Sequence, residues 1–211
     1  MKGLILKDLY LTKNNSKFFL LFLAVFGVLS ITQGDGGMSF LPFCIILCSI
    51  LVISSLSYDE LAKWDRMALC MPVTRRQIVL SKYLLHLIFT GLGVGLGLLI
   101  GIGSNLIHNT ADYASLLTMI SFSATIALAY GAIMLPLVFR FGPEKGRIII
   151  LLLAIVPAAL IGASSNLSGS GGIHLSSEQI KILGYAFPAA ALALYGLSYL
   201  ISARIYQKKQ F

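Results

Sequence analysis

Lys82 and His86 lie one helical turn apart inside a long apolar run, and Cys44 and Cys48 stand four residues apart in another. Four-residue spacing puts each pair on one face of a helix. A cation beside a histidine could pass a proton, and two thiols on one face could grip a soft metal ion. A proton relay through hydrocarbon needs further ionisable groups at the same depth, and the apolar runs hold only Lys82 and His86. Lys82 sits near the end of its run, where its ammonium can snorkel toward lipid phosphates. Two readings stand for His86: contact with a substrate on a path, or a hydrogen bond to a neighbouring helix. The thiols, with Cys70 an odd third, read as small apolar filler, so neither a disulfide nor a metal site is inferred. His108 and His174 fall in loops, where a solvated side chain suffices.

Signatures of stronger chemistry are missing. The chain has no G-x-x-x-x-G-K-[ST] phosphate loop, no H-E-x-x-H, no G-x-S-x-G elbow, and no pair of carboxylates within an apolar run. No catalytic residue and no cofactor bound by this chain is therefore assigned.

The elements that position these residues are membrane spans. The 211 residues are 57% hydrophobic and 11% charged, with a mean hydropathy of +0.89, outside the range of soluble domains. A bilayer core of ~30 Å takes ~20 helical residues, and such windows fall at Phe18–Gln33, Met38–Ser57, Ile78–Ile107, Tyr113–Phe139, Ile148–Ser164 and Ile182–Ala203. Turn chemistry separates them in "QGDGG", "NLIHNTAD", "RFGPEKGR" and "NLSGSGGIHLSSEQ". No strand alternation appears, and lipid cannot satisfy an open backbone. The expectation is an all-α, polytopic integral membrane protein of six transmembrane helices, a single domain over 1–211.

Charge orients the bundle. Of the 16 Lys and Arg, only Lys181 falls on one side if both termini share the other. The positive-inside rule then makes both termini cytoplasmic, and Asp35, Asp112 and Glu178 deepen the asymmetry. The net +8 thus records topology; a nucleic-acid surface would need a basic patch on a soluble face, and no segment is long enough to make one. Met1–Lys17 runs into a span without a small-residue cleavage site, so no signal peptide is read.

Charge otherwise gathers in "YDELAKWDRMALCMPVTRRQIVLSKYLL", residues 58–85. Over 59–71 a helical wheel puts Leu61, Trp64, Met67, Ala68 and Met71 on one stripe and Asp59, Lys63 and Arg66 opposite. Asp59 precedes Lys63 by four residues, the favourable order for an ion pair. Ser57 with Glu60 fits a capping box that starts this helix, Pro72 stops it, and Thr74 with Gln77 fits a second box that starts the third span at Arg75. Arg75 and Arg76 then sit in a first turn, where the helix dipole disfavours cations by some tenths of a kcal/mol. Something acidic should offset them: lipid phosphate or a partner's groove. Further along, Gly93, Gly97 and Gly101 recur every four residues and open one face of the span to a close helix neighbour, within the subunit or across two. Pro136, Pro157 and Pro188 interrupt the later spans.

The 58–85 stretch resembles the cytoplasmic segment between the second and third spans of type-2 ATP-binding-cassette exporter permeases, in their short bacterial six-span branch. "MKGLILKDLYLTKNN" is similar to their opening interfacial helix, here over 1–17. The resemblance implies a coupling elbow over 58–77 in which Glu60, Lys63, Trp64, Asp65 and Arg66, then Pro72, Val73, Thr74, Arg75 and Arg76, dock a separate cytoplasmic ATPase. ATP and Mg would belong to that partner, in keeping with the missing phosphate loop. It further implies a second permease subunit, the same chain or a paralogue, a place in the cell membrane among its lipids, and an outer connection over 164–181. Without a charge at mid-depth the route suits amphipathic or hydrophobic cargo: peptide, drug or lipid. Two other classes compete, a non-transporting assembly or immunity protein and a self-contained secondary transporter.

Overall fold

The computed structural model describes residues 3–12, 41–70, 72–108, 113–143 and 177–208, with single positions at 21, 24, 25, 28 and 145. Its helices are α1 (3–12), α2 (Leu41–Leu61), α3 (Trp64–Leu69), α4 (Arg75–His108), α5 (Tyr113–Phe141) and α6 (Ser177–Lys208). No strand occurs among the described residues. Among the described residues four helices are long and apolar enough to cross a membrane, over Cys44–Leu61, Arg75–Ile107, Tyr113–Phe141 and Phe187–Lys208. The expected spans Phe18–Gln33 and Ile148–Ser164 lie outside the described residues, apart from the single positions in the first, and so do Pro157 and His174. Residues 177–181, placed in the outer connection by the sequence, already belong to α6.

In lipid the tails are as apolar as leucine, so shape and hydrogen bonds rather than water exclusion hold helices together. α5 packs most extensively on α6, and α2 on α4, while α2 and α5 also meet. Their shared core is built from Val52 and Ile53 of α2, Val79 and Leu85 of α4, Leu135 of α5 and Tyr206 of α6. Gly93 shows why α2 and α4 approach closely: a Cβ there would lie 2.9 Å from Cys48 Cβ and 3.0 Å from Ile45 Cα. Gly97 and Gly101 are buried on the same face, whereas Gly91 and Gly95 look onto open space. Outward positions such as Leu92, Leu99, Phe122 and Leu197 are exposed apolar side chains, which suit a lipid environment.

α4 has 34 residues, about 51 Å at the rise of an α-helix, against a hydrocarbon core of ~30 Å. It therefore projects well beyond the lipid core. Thr74 and Gln77 begin it as the sequence predicts: the Thr74 N–H donates to Gln77 Oε1 at 3.0 Å, and the Gln77 N–H to Thr74 Oγ1 at 3.4 Å. Such a reciprocal cap is worth about 1 kcal/mol.

α1 has two apolar surroundings. Ile5 and Leu9 pack on the core, while Leu6 and Tyr10 point outward, 55% and 65% exposed. Polar atoms face inward instead, with Asp8 and Thr12 buried. Polar and apolar side chains thus share the inward side while apolar ones also face outward, which is why the sequence of this helix shows little amphipathicity.

Candidate functional site

The expected elbow is present, but its first half is built differently from the sequence expectation. α2 does not stop at Ser57; it continues to Leu61, and the Ser57 hydroxyl donates back to the Ile53 carbonyl at 2.9 Å instead of capping a new helix. The chain turns at Lys63, whose backbone is left-handed with φ 49° and ψ 36° and whose N–H donates to the Glu60 carbonyl at 3.0 Å. A non-glycine residue there is strained by roughly 1 kcal/mol. α3 then runs for 6 residues to a cap at Cys70.

Asp59 explains the extra turn of α2. Local spacing pairs it with Lys63, but its carboxylate takes Lys7 of α1 at 2.6 Å and Lys82 of α4 at 2.5 Å. Lys82 also reaches Asp8 at 2.8 Å and donates to Ser55 Oγ at 2.9 Å; Lys7 lies 3.2 Å from Asp8. The Lys82 side chain is 4% exposed, so it does not snorkel to lipid phosphates. A buried ammonium without counter-charge would be costly, and two carboxylates satisfy it. The four side chains alternate in sign and sum to zero. Lys7 also sits over the Trp64 ring, 4.0 Å from its centroid, a cation–π contact that fastens α3 to the same cluster.

The other end of the elbow is tied down as well. The Arg75 guanidinium donates to the Gln207 carbonyl at 2.7 Å, in the last turn of α6. A cation at a helix C-terminus meets the negative end of that dipole, so for Arg75 part of the expected acidic offset lies within this chain. Arg76 beside it is exposed. Glu60 is exposed and leans on the end of α5: Gly142, with φ +85°, would carry a Cβ 2.8 Å from Glu60 Oε1. α1, the ends of α2, α5 and α6, and the start of α4 thus meet at one end of the bundle.

Of the remaining elbow residues, Lys63, Pro72 and Thr74 are exposed, Trp64 and Val73 are half-buried, and Asp65 and Arg66 lie on α3 with side chains outside the described set. Leu61 and Met67 protrude with them, 76% and 52% exposed, and put apolar tips among the charges. A cavity of about 50 Å³ lies behind, lined by Asp59, Glu60, Lys82, Phe139, Pro143 and Tyr206 among others. Water fits it; a drug-sized ligand needs several hundred Å³.

His86, one turn above Lys82, is fully buried and both ring nitrogens are engaged. Nδ1 lies 3.1 Å from the Tyr195 hydroxyl and Nε2 2.7 Å from Ser49 Oγ. Tyr195 donates to the Tyr83 carbonyl at 2.9 Å, so it accepts from Nδ1–H, and Nε2 accepts from Ser49. Four helices meet around this ring, because α5 supplies Gly131, where any side chain would strike it. Cys44 and Cys48 are buried and Cys70 is exposed. Among the described residues no group of His, Cys, Asp and Glu is placed to hold a metal.

Long apolar helices, with a charged elbow at one end and a buried ionic cluster behind it, define a polytopic membrane protein. The family model described as ABC-2 family transporter protein matches residues 3–207, and the chain belongs to that family. No curated protein and no solved structure matches it significantly. Membership makes it a multi-pass permease subunit of an ATP-binding-cassette transporter, a membrane partner for an ATP-binding subunit.

Proposed function

We propose that the chain is the membrane half of a cell-membrane exporter, with both termini cytoplasmic and residues 58–77 forming the surface on which a separate cytoplasmic ATPase docks. One observation carries this reading above the others: α3 is held between two rigid connections, the ionic cluster that fixes α2 and the reciprocal cap that starts α4. A push on α3 therefore enters α4 as a rigid displacement. Lys63 and Arg76 at the surface, with Leu61 and Met67 between them, suit an acidic groove with apolar floor, and Glu60 lies beside them. Asp65 and Arg66 belong to the same segment. ATP and Mg bind the partner. Two permease subunits, identical or paralogous, line the route, and cargo is amphipathic or hydrophobic. Gly93, Gly97 and Gly101 serve packing, and His86 holds helices together at the base of the route.

Arg76 gives the test, because Arg75 also anchors α6 and its loss would disturb the chain itself. Arg76→Glu is expected to leave insertion and thermal stability unchanged and to weaken the complex with the phosphate-loop ATPase by about tenfold, the equivalent of ~1.4 kcal/mol. Purified alone, the chain hydrolyses no ATP. Undiminished complex formation and ATPase activity in Arg76→Glu counts against docking at this elbow.

A further inference from the structure

Pro136 lies inside α5. A proline has no N–H, so the carbonyl four residues earlier, that of Ala132, loses its helical partner. In lipid an open carbonyl must find a donor elsewhere. Ser198 of α6 supplies it, its hydroxyl 2.5 Å from the Ala132 oxygen. Both residues are buried, Ala132 at 7% and Ser198 at 4% exposed. The neighbour of Ala132 is Gly131, the residue whose missing side chain admits His86.

Ser198 does not act alone. The Tyr83 hydroxyl lies 2.7 Å from Ser198 Oγ and 2.8 Å from Ser202 Oγ, two serines one turn apart on α6. A carbonyl only accepts, so the Ser198 proton goes to Ala132, the Tyr83 proton to Ser198, and the Ser202 proton to Tyr83. The result is a directed chain from α6 through α4 and back through α6 to the carbonyl that Pro136 deprives of its donor in α5. Tyr83 follows Lys82, at the point where α4 leaves the ionic cluster.

The geometry points to Ser198 as the pin of a hinge: within the continuous helix α5 it supplies the donor that Pro136 cannot give to the Ala132 carbonyl, and it ties that point of α5 to α4 and α6 through Tyr83. When α5 flexes at Pro136, Ser198 releases the Ala132 carbonyl, and Tyr83 retains Ser202 as its partner. α5 is thereby the element that yields, and α4 the one that transmits. This inference stands on the donor missing at Pro136 and does not depend on how the elbow docks.

A double-mutant cycle on the full chain in lipid nanodiscs tests it. Ser198→Ala strands the Ala132 carbonyl, whereas Pro136→Ala restores an N–H to pair it within α5. Ser198→Ala is expected to lower the unfolding midpoint by about 3 °C more in the wild-type background than in the Pro136→Ala background; Ser198→Thr, which keeps the hydroxyl, should recover most of the loss. Equal losses in the two backgrounds overturn the compensation. If Ser198→Ala alone does not fold, recovery by Pro136→Ala supports it and continued misfolding overturns it. The hinge has its own readout. With Cys44, Cys48 and Cys70 replaced by Ala, spin labels at Thr118 and Arg140, exposed on either side of Pro136, give a distance distribution by pulsed electron resonance. It should broaden in Ser198→Ala and narrow in Pro136→Ala; unchanged widths in both leave Pro136 a rigid kink and overturn the hinge.

Discussion

Removing the charge of Asp8 by Asp8→Asn leaves the ionic cluster with two ammonium groups and one carboxylate, a net +1 at a largely buried place. Asp8 lies 2.8 Å from Lys82 and 3.2 Å from Lys7. At an effective dielectric constant of ~20 these contacts are worth about 6 and about 5 kcal/mol before any cost is set against them. Desolvation of the carboxylate and its repulsion from Asp59 reduce the gain, and buried pairs broken on one side lose about 3–5 kcal/mol net. For a chain of this length that is a fall in midpoint of roughly 10 °C. Lys82→Met should cost as much for the opposite reason, a net −1. The two changes together leave Lys7 and Asp59 paired at 2.6 Å with no charge in excess. The double variant is therefore expected to be no worse than either single one, with a coupling energy of at least about 2 kcal/mol. Trp64 is the only tryptophan of the chain and lies under Lys7, so its fluorescence follows the cluster directly during thermal or detergent unfolding. Raising salt from about 0.05 M to about 0.5 M should change these differences little, because buried pairs escape screening. Additive losses in the cycle, or losses that vanish in salt, refute the picture of a buried and mutually dependent lock.

Three glycines give further tests by thermal unfolding. Gly131→Ala should lose about 1–3 kcal/mol, since the His86 ring is held by Ser49 and Tyr195 and cannot give way, whereas Gly91→Ala, with open space around it, should be neutral or stabilising by up to ~1 kcal/mol. Gly142→Ala should cost about 1–2 kcal/mol from its left-handed backbone, and replacing Glu60 by Ala in the same chain should return the part due to their contact.

What the sequence made legible was local. The Thr74 and Gln77 cap depends on residues three apart and formed as read. The four described spans fell where hydropathy put them, apart from their ends. Lys82 was misplaced because its partner Asp8 is 74 residues away, and spacing rules carry no information at that range; a lysine in an apolar run did signal that a counter-charge was needed. Asp59 followed tertiary partners over the neighbour four residues on. The helix at 3–12 is poorly patterned because its inward side mixes the buried Asp8 and Thr12 with Ile5 and Leu9 while Leu6 and Tyr10 face outward. Pro136 announced a missing N–H, but nothing in the order of residues named Ser198 as the donor. The residues expected to couple came from resemblance, and the exposure of Glu60, Lys63, Pro72, Thr74 and Arg76 could be read only once α2, α3 and α4 were assembled.

The ionic cluster also bears on how the protein is made. Ribosomes deliver the N-terminus first, so Lys7, Asp8 and Asp59 have all emerged by the time Lys82 does. The one lysine that must enter the bundle core arrives to find both its acids waiting, and the fourth helix can be threaded into the bilayer without stranding a bare cation. Ser198 arrives only after Pro136. Until then the Ala132 carbonyl has no donor from α6, and a nascent chain halted before α6 lacks its closing stitch.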